Sequence, residues 1–175
     1  MVKNIELVLG GARSGKSRYA EQQAKSTDQQ VVYIATATVY DDEMADRVQR
    51  HKDDRPSHWV TIEEPLQLAT TLQQHAAEDK CILVDCLTLW VTNLLMLEDE
   101  QKFAAEKQVL LDVLPKLPGK IILVSNEVGQ GIVPLGELSR RFVDESGWLH
   151  QAIAALADDV TLVVAGIPMP VKRKN

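Results

Sequence analysis

Residues Gly10-Gly11-Ala12-Arg13-Ser14-Gly15-Lys16-Ser17 fit the pattern G-x-x-x-x-G-K-[ST] in full. The apolar run Ile5-Glu6-Leu7-Val8-Leu9 precedes them, and a helix-compatible run from Arg18 to Lys25 follows. A strand, a glycine-rich loop and a helix in that order constrain the fold more than any other feature of the chain. The glycines let the backbone turn tightly, so that successive N–H groups point at phosphate oxygens. The positive end of the helix dipole adds to that field. Lys16 brings a mobile charge to the β and γ phosphates, and Ser17 offers a hydroxyl to Mg²⁺. The pattern predicts that a nucleoside triphosphate binds here; it leaves open what is done with it.

The rest of the chain supports an α/β fold. Ile5–Leu9, Val31–Ala35, Cys81–Val84, Ile121–Ser125 and Val160–Ala165 are nearly continuous apolar runs, and Trp59–Ile62 reads as a short extra strand. Continuous rather than alternating runs predict a mainly parallel sheet with helices on both faces. Helical patterns lie between them. Pro65 is expected as a first helical residue, with Leu66, Ala69, Leu72 and Ala76 on one face; Phe103–Leu114 and Trp148–Ala157 give two more helices. The expected architecture is a doubly wound, RecA-like phosphate-loop fold, with residues 1–175 forming a single nucleotide-binding catalytic domain.

Composition excludes several classes. A net charge of −6 argues against general nucleic-acid binding, and Lys172-Arg173-Lys174 reads as a solvated end. Asp85 and Asn93 interrupt the apolar stretch Cys81–Leu97, which reads as strand then helix rather than a membrane span. Cys81 and Cys86 lack C-x-x-C spacing and suit a reduced, cytoplasmic setting; no charged-then-apolar leader opens the sequence.

Three further groups carry chemistry. Asp85 ends a buried strand, where an acid completes a Mg²⁺ site beside a phosphate loop; the plainer reading is a helix cap. The stretch Asp41–Pro56 is expected to be a helix capped by Asp41 or Asp42, with Arg47 and His51 on one face and Lys52 and Arg55 close by. Cations around an imidazole favour its neutral, nucleophilic form and would receive a polyphosphate, although a solvated charged helix has the same composition. His58, His75 and His150 lack such a cluster. Ser125–Pro134 is a polar, glycine-rich loop at a strand end, where α/β folds hold ligands; Arg140, Arg141 and Asp144 follow it as phosphate contacts or as plain salt bridges. Asn126 is followed by Glu127 rather than Lys, so the guanine-reading signature of switch GTPases is missing.

These segments together resemble one family. Gly10–Ser17, Tyr33-Ile34-Ala35-Thr36-Ala37, Asp42-Glu43-Met44, His51 four residues before Arg55-Pro56, and Asn126-Glu127-Val128-Gly129 through Pro134 match the bifunctional adenosylcobinamide kinase / adenosylcobinamide-phosphate guanylyltransferases of cobalamin assembly. The resemblance runs from Leu7 to about Gly166. It implies phosphorylation of adenosylcobinamide by ATP or GTP, then transfer of GMP from GTP to the resulting phosphate through a guanylylated histidine, with release of pyrophosphate. Carried onto this sequence, it implies that His51 forms the covalent intermediate and Lys16 serves the phosphoryl step. Nucleotide contacts would fall on Gly10 to Ser17, on Thr36, Ala37 and Thr38, on Lys52, Asp53, Asp54 and Arg55, and on Glu63 and Asp85. Ser17 and Asp85 would hold Mg²⁺, and a homotrimer is implied. Two positions depart from the pattern: Asp85 stands where some members carry Glu, and Gln151 follows His150 where Asn is expected. Two other readings fit the phosphate loop alone, a small-molecule kinase without nucleotidyl transfer and a non-catalytic nucleotide-binding regulatory module.

Overall fold

A computed structural model describes residues 4–175. In chain order the elements are β1 (Asn4–Gly10), α1 (Lys16–Lys25), β2 (Gln30–Ala35), α2 (Asp42–Asp53), β3 (Val60–Glu63), α3 (Leu68–His75) and β4 (Lys80–Asp85). Then follow α4 (Leu87–Leu95), α5 (Glu100–Val113) with a 3₁₀ turn at Leu114–Lys116, β5 (Lys120–Asn126), α6 (Glu137–Leu156), β6 (Asp159–Val164) and β7 (Ile167–Lys172). The strands form one sheet in the order β3-β2-β4-β5-β1-β6-β7. All neighbours are parallel except β6 and β7, which form an antiparallel hairpin.

The apolar runs are continuous because both sheet faces are covered. Leu7, Ile34, Ile82, Val84 and Leu123 face one way, into a core completed by Leu72 of α3, Trp90 of α4, Leu110 of α5 and Ile153 of α6. Val8, Tyr33, Leu83 and Val124 face the other way, against Ala20 and Ala24 of α1 and against Trp59. Neighbours in each strand point to opposite faces, so doubly buried strands need apolar residues at every position. By contrast, α2 has no buried residue.

Four expectations are revised. Pro65 does not start a helix: the Glu64 carboxylate accepts from the backbone N–H groups of Leu66 (3.0 Å) and Gln67 (2.9 Å), and α3 begins only at Leu68. The helix expected from Trp148 begins at Glu137, so Arg140, Arg141 and Asp144 lie on the same helix. Strand β7 was not foreseen, because Pro168 and Pro170 argue against a strand. It is tolerated because β7 is an exposed edge that pairs on one side only. The basic end is not freely solvated either. Lys174 pairs with Asp158 at 2.6 Å, and Arg173 donates to the Thr161 hydroxyl at 3.1 Å.

Candidate functional site

The phosphate loop joins β1 to α1, the first strand to the first helix. Gly15 sits at φ 93° immediately before α1, and Arg13 at φ 55°. At Gly10 crowding replaces torsion: a Cβ there would lie 2.3 Å from Ser14 Oγ and 2.9 Å from the Val163 carbonyl oxygen. The turn between β6 and β7 props the loop from outside, its Gly166 N–H donating to the Ser14 carbonyl at 2.7 Å. Lys16 folds back over the loop and donates to the Gly11 carbonyl at 3.1 Å. Burial lowers the ammonium's pKa, while the charges of Asp85 and Cys86 oppose that shift. The Lys16 ammonium thus feels the Asp85 carboxylate, although β5 lies between β1, which leads into the loop, and β4, which ends at Asp85.

The expected donors suit a hard cation that brings most of its own coordination shell. Ser17 and Asp85 supply oxygen, and among the described residues no three His, Cys, Asp or Glu side chains gather into a metal cage. That composition fits Mg²⁺, which keeps several waters and takes its remaining ligands from substrate phosphates. The Ser14 hydroxyl is buried in the loop without a hydrogen-bond partner, a polar atom left over in a cradle built for an anion.

Several residues near the loop, the expected nucleotide contact Thr36 among them, have structural partners of their own. Thr36 is fully buried; its hydroxyl donates to the Cys86 carbonyl at 2.6 Å and accepts from the Cys86 N–H at 2.9 Å. Half-buried Ala37 and Thr38 follow it. Asn126, at the tip of β5, donates to the Thr88 hydroxyl at 2.7 Å. Glu127 reaches the loop through its backbone N–H, which donates to the Gly10 carbonyl at 2.9 Å. His150 meets Ser125 Oγ at 2.6 Å, and burial pushes its pKa down against the charge of Glu127. Arg141 is a salt-bridge residue: it pairs with Glu100 of α5 and lies over the Phe103 ring.

The second pole of the site is the C-terminal end of α2. Asp41 caps this helix by accepting from the Met44 N–H at 2.7 Å. His51 is exposed in its last turn, with Asp53 and Asp54 beyond it. The cations around His51 are not free. Arg47 pairs with Glu43 at 2.5 Å and Lys52 with Glu63 at 2.6 Å. The hydrogen bond and charge of Lys52 hold the Glu63 carboxyl below the usual carboxylate range. Arg55 donates through Nε to the His51 carbonyl at 2.8 Å and lies 3.9 Å from the centroid of the Tyr33 ring. Lys52, Arg55, Trp59, Thr61 and Glu63 line an open cavity of about 600 Å³.

No hydrogen bond or ion pair joins His51 to the phosphate loop among the described residues, but the two poles share neighbours. Tyr33 donates its hydroxyl to Asp85 Oδ2 at 2.9 Å. Glu21 of α1 is raised by burial and by the charge of Asp85, while Lys25, His51 and Arg55 oppose the shift, so its carboxyl feels both poles. Glu21 carried no motif in the sequence. Its position five residues past Lys16, on the helix that follows the loop, was the only signal.

The chain matches the family model "Cobinamide kinase / cobinamide phosphate guanyltransferase" over residues 6–171. It is 59% identical over 167 residues to the bifunctional adenosylcobalamin biosynthesis protein CobP of Pseudomonas aeruginosa, covering 95% of this chain and 96% of that one. It is 46% identical over 179 residues to the bifunctional adenosylcobalamin biosynthesis protein CobU of Salmonella typhimurium, covering 95% and 98%. Among solved structures, the RadB recombinase superposes with a TM-score of 0.54 at 16% identity, covering 91% of this chain and 74% of that chain. A Pyrococcus horikoshii protein superposes at 0.59 with 10% identity, covering 99% and 88%. These two likenesses establish the RecA-like phosphate-loop fold, and the sequence relationship establishes more: the chain is a transferase of the cobinamide kinase / cobinamide phosphate guanyltransferase family.

Proposed function

We propose that this chain performs both reactions of its family, with adenosylcobinamide and its phosphate as acceptors. In the first, the substrate's hydroxyl oxygen attacks the γ phosphorus of ATP or GTP. The bond to the β–γ bridging oxygen breaks, the nucleoside diphosphate leaves, and the hydroxyl proton is released. Gly10 to Ser17 bind the phosphates through backbone N–H groups, and Lys16 neutralises charge on the transferring group. Ser17 and Asp85 would hold Mg²⁺. The bound ion would screen the phosphate charges.

In the second reaction, an imidazole nitrogen of His51 attacks the α phosphorus of GTP and the α–β bridging oxygen departs with pyrophosphate. The phosphate oxygen of adenosylcobinamide phosphate then attacks the same phosphorus. The P–N bond breaks, and the histidine is regenerated alongside adenosylcobinamide-GDP. A neutral imidazole is both a competent nucleophile and a good leaving group. Lys52 and Arg55 flank His51 and line the open cavity, where they would meet phosphate charge once their present partners yield. Ala37, Thr38, Asp53, Asp54 and Glu63 complete the proposed nucleotide surface; Thr36 is not part of it, because it lies fully buried with its hydroxyl committed to Cys86.

The observation that carries this reading is the pairing of a phosphate loop with an exposed histidine in the basic last turn of α2, beside Arg50 and Lys52. We further propose a cytoplasmic homotrimer in which residues 1–175 act as one catalytic domain. Ile132 and Leu135 are each 97% exposed in the loop after β5, apolar surface that assembly would cover. The test is the variant His51→Ala assayed for both half-reactions. Phosphorylation of adenosylcobinamide should persist while the GMP adduct and guanylyl transfer vanish. An adduct that survives, or that maps to His58, His75 or His150, would refute the assignment.

A further inference from the structure

We propose that Tyr33 is a positioning residue: through a stacked Arg55 it ties the Asp85 carboxylate to the end of α2 that carries His51. The inference rests on the reading of His51 as the nucleophile. The contacts are consecutive. The Tyr33 hydroxyl donates to Asp85 Oδ2 at 2.9 Å. The guanidinium of Arg55 covers the same ring at 3.9 Å from its centroid, and its Nε donates to the His51 carbonyl at 2.8 Å. A third Arg55 contact, NH1 to the Thr61 hydroxyl at 3.5 Å, holds the fork against β3.

This strut matters because little else fixes α2. The helix has no buried residue, so no core packing sets its position. Its C-terminal end is held by Arg55 and by the Lys52–Glu63 pair at 2.6 Å. Tyr33, in contrast, is 3% exposed and anchored in β2, which pairs residue by residue with β4. A rigid aromatic thus presents one end to the proposed metal-side acid and one face to the nucleophile's helix. Arginine suits the second contact because a planar cation stacks on a ring while still donating in its own plane. The device keeps one geometry between the groups that serve the two reactions.

The test is amide hydrogen exchange of residues 42–55 in the free protein, read against β2 and β4. The variants are Tyr33→Phe, Tyr33→Leu and Arg55→Lys. Losing one stacked cation and the carbonyl bond it holds should speed exchange in α2 about tenfold in Tyr33→Leu, and several-fold in Arg55→Lys. Tyr33→Phe keeps the ring and should leave α2 exchange at the wild-type rate. It should raise the Mg²⁺ concentration needed for half-maximal phosphorylation, with KM for adenosylcobinamide unchanged. If Tyr33→Leu does not fold, Arg55→Lys decides, because Arg55 lies outside the core. Wild-type exchange in α2 of Arg55→Lys, or an equal rise in α2, β2 and β4, overturns the strut. Faster exchange confined to α2 supports it even if wild-type protein forms no GMP adduct on His51; that result would remove the nucleophile assignment alone.

Discussion

Replacing Gly10 with alanine tests the phosphate loop through shape alone. The added Cβ would lie 2.3 Å from Ser14 Oγ, 3.2 Å from Ser14 Cβ and 2.9 Å from the Val163 carbonyl oxygen. The Ser14 hydroxyl can rotate away, but the Val163 carbonyl belongs to β6 and is fixed by the sheet. Overpacking of this kind costs about 1–3 kcal/mol. For a chain of this size that lowers Tm by roughly 2–4 °C per kcal/mol. Gly11→Ala is the matched control, since nothing lies within 4 Å of a Cβ there. Its effect should stay within about 0.5 kcal/mol. Thermal melts of Gly10→Ala, Gly11→Ala and the double variant Gly10→Ala/Ser14→Ala separate the contributions. The double variant should recover part of the loss, because only the 2.3 Å contact is relieved. Equal melting temperatures for Gly10→Ala and Gly11→Ala would refute the steric argument.

Lys16→Ala should reduce the rate of adenosylcobinamide phosphorylation about 10²–10³-fold, the usual loss on deleting one such charge-stabilising group; near-wild-type turnover would remove Lys16 from the phosphoryl step. His150 gives a pH dependence. Burial lowers its folded pKa below the ordinary 6.5, so the unfolded chain binds the extra proton more readily. Its contribution to stability is therefore intact above pH 6.5 and declines as the pH falls through the window below it. Denaturant titrations of His150→Gln should show a flatter acid limb than wild type, and an unchanged slope would exclude His150 as its source. Cys81 and Cys86 are buried and free, and burial pushes both thiols up to about 11. A thiol reagent at pH 8 should therefore label neither until the protein is unfolded; fast labelling of the native protein would contradict the packing.

The sheet was readable because its strands are buried on both faces, and such strands carry an unbroken apolar signal. Isoleucine, leucine and valine at successive positions of β4 admit few other readings. β7 was hidden for the opposite reason: an edge strand tolerates proline, and Pro168 and Pro170 cancel the local strand signal. The start of α3 was missed because a side-chain acceptor, Glu64, replaced the backbone geometry that Pro65 suggested. The site divides likewise. Gly10 to Ser17 is a local motif, legible because its chemistry lies in consecutive residues. The partners of Tyr33 come from Asp85 and Arg55, 52 residues away in the first case, and only the register of β2 with β4 brings that pair together. Composition also overstated the free charge around His51. It counts the cations but does not see Glu43 and Glu63 opposite them.

That α2 has no buried residue separates two properties usually measured together. Global unfolding reports the core, and a helix outside the core contributes only surface contacts, each worth about 1 kcal/mol or less. Substitutions along residues 42–53 can therefore abolish a reaction while leaving the melting curve where it was. A screen that ranks variants of this protein by thermal stability would pass such damaged copies as sound. A selection for guanylyl transfer could change nearly every exposed position of the helix at little structural cost. A helix that the core does not constrain thus carries the proposed nucleophile.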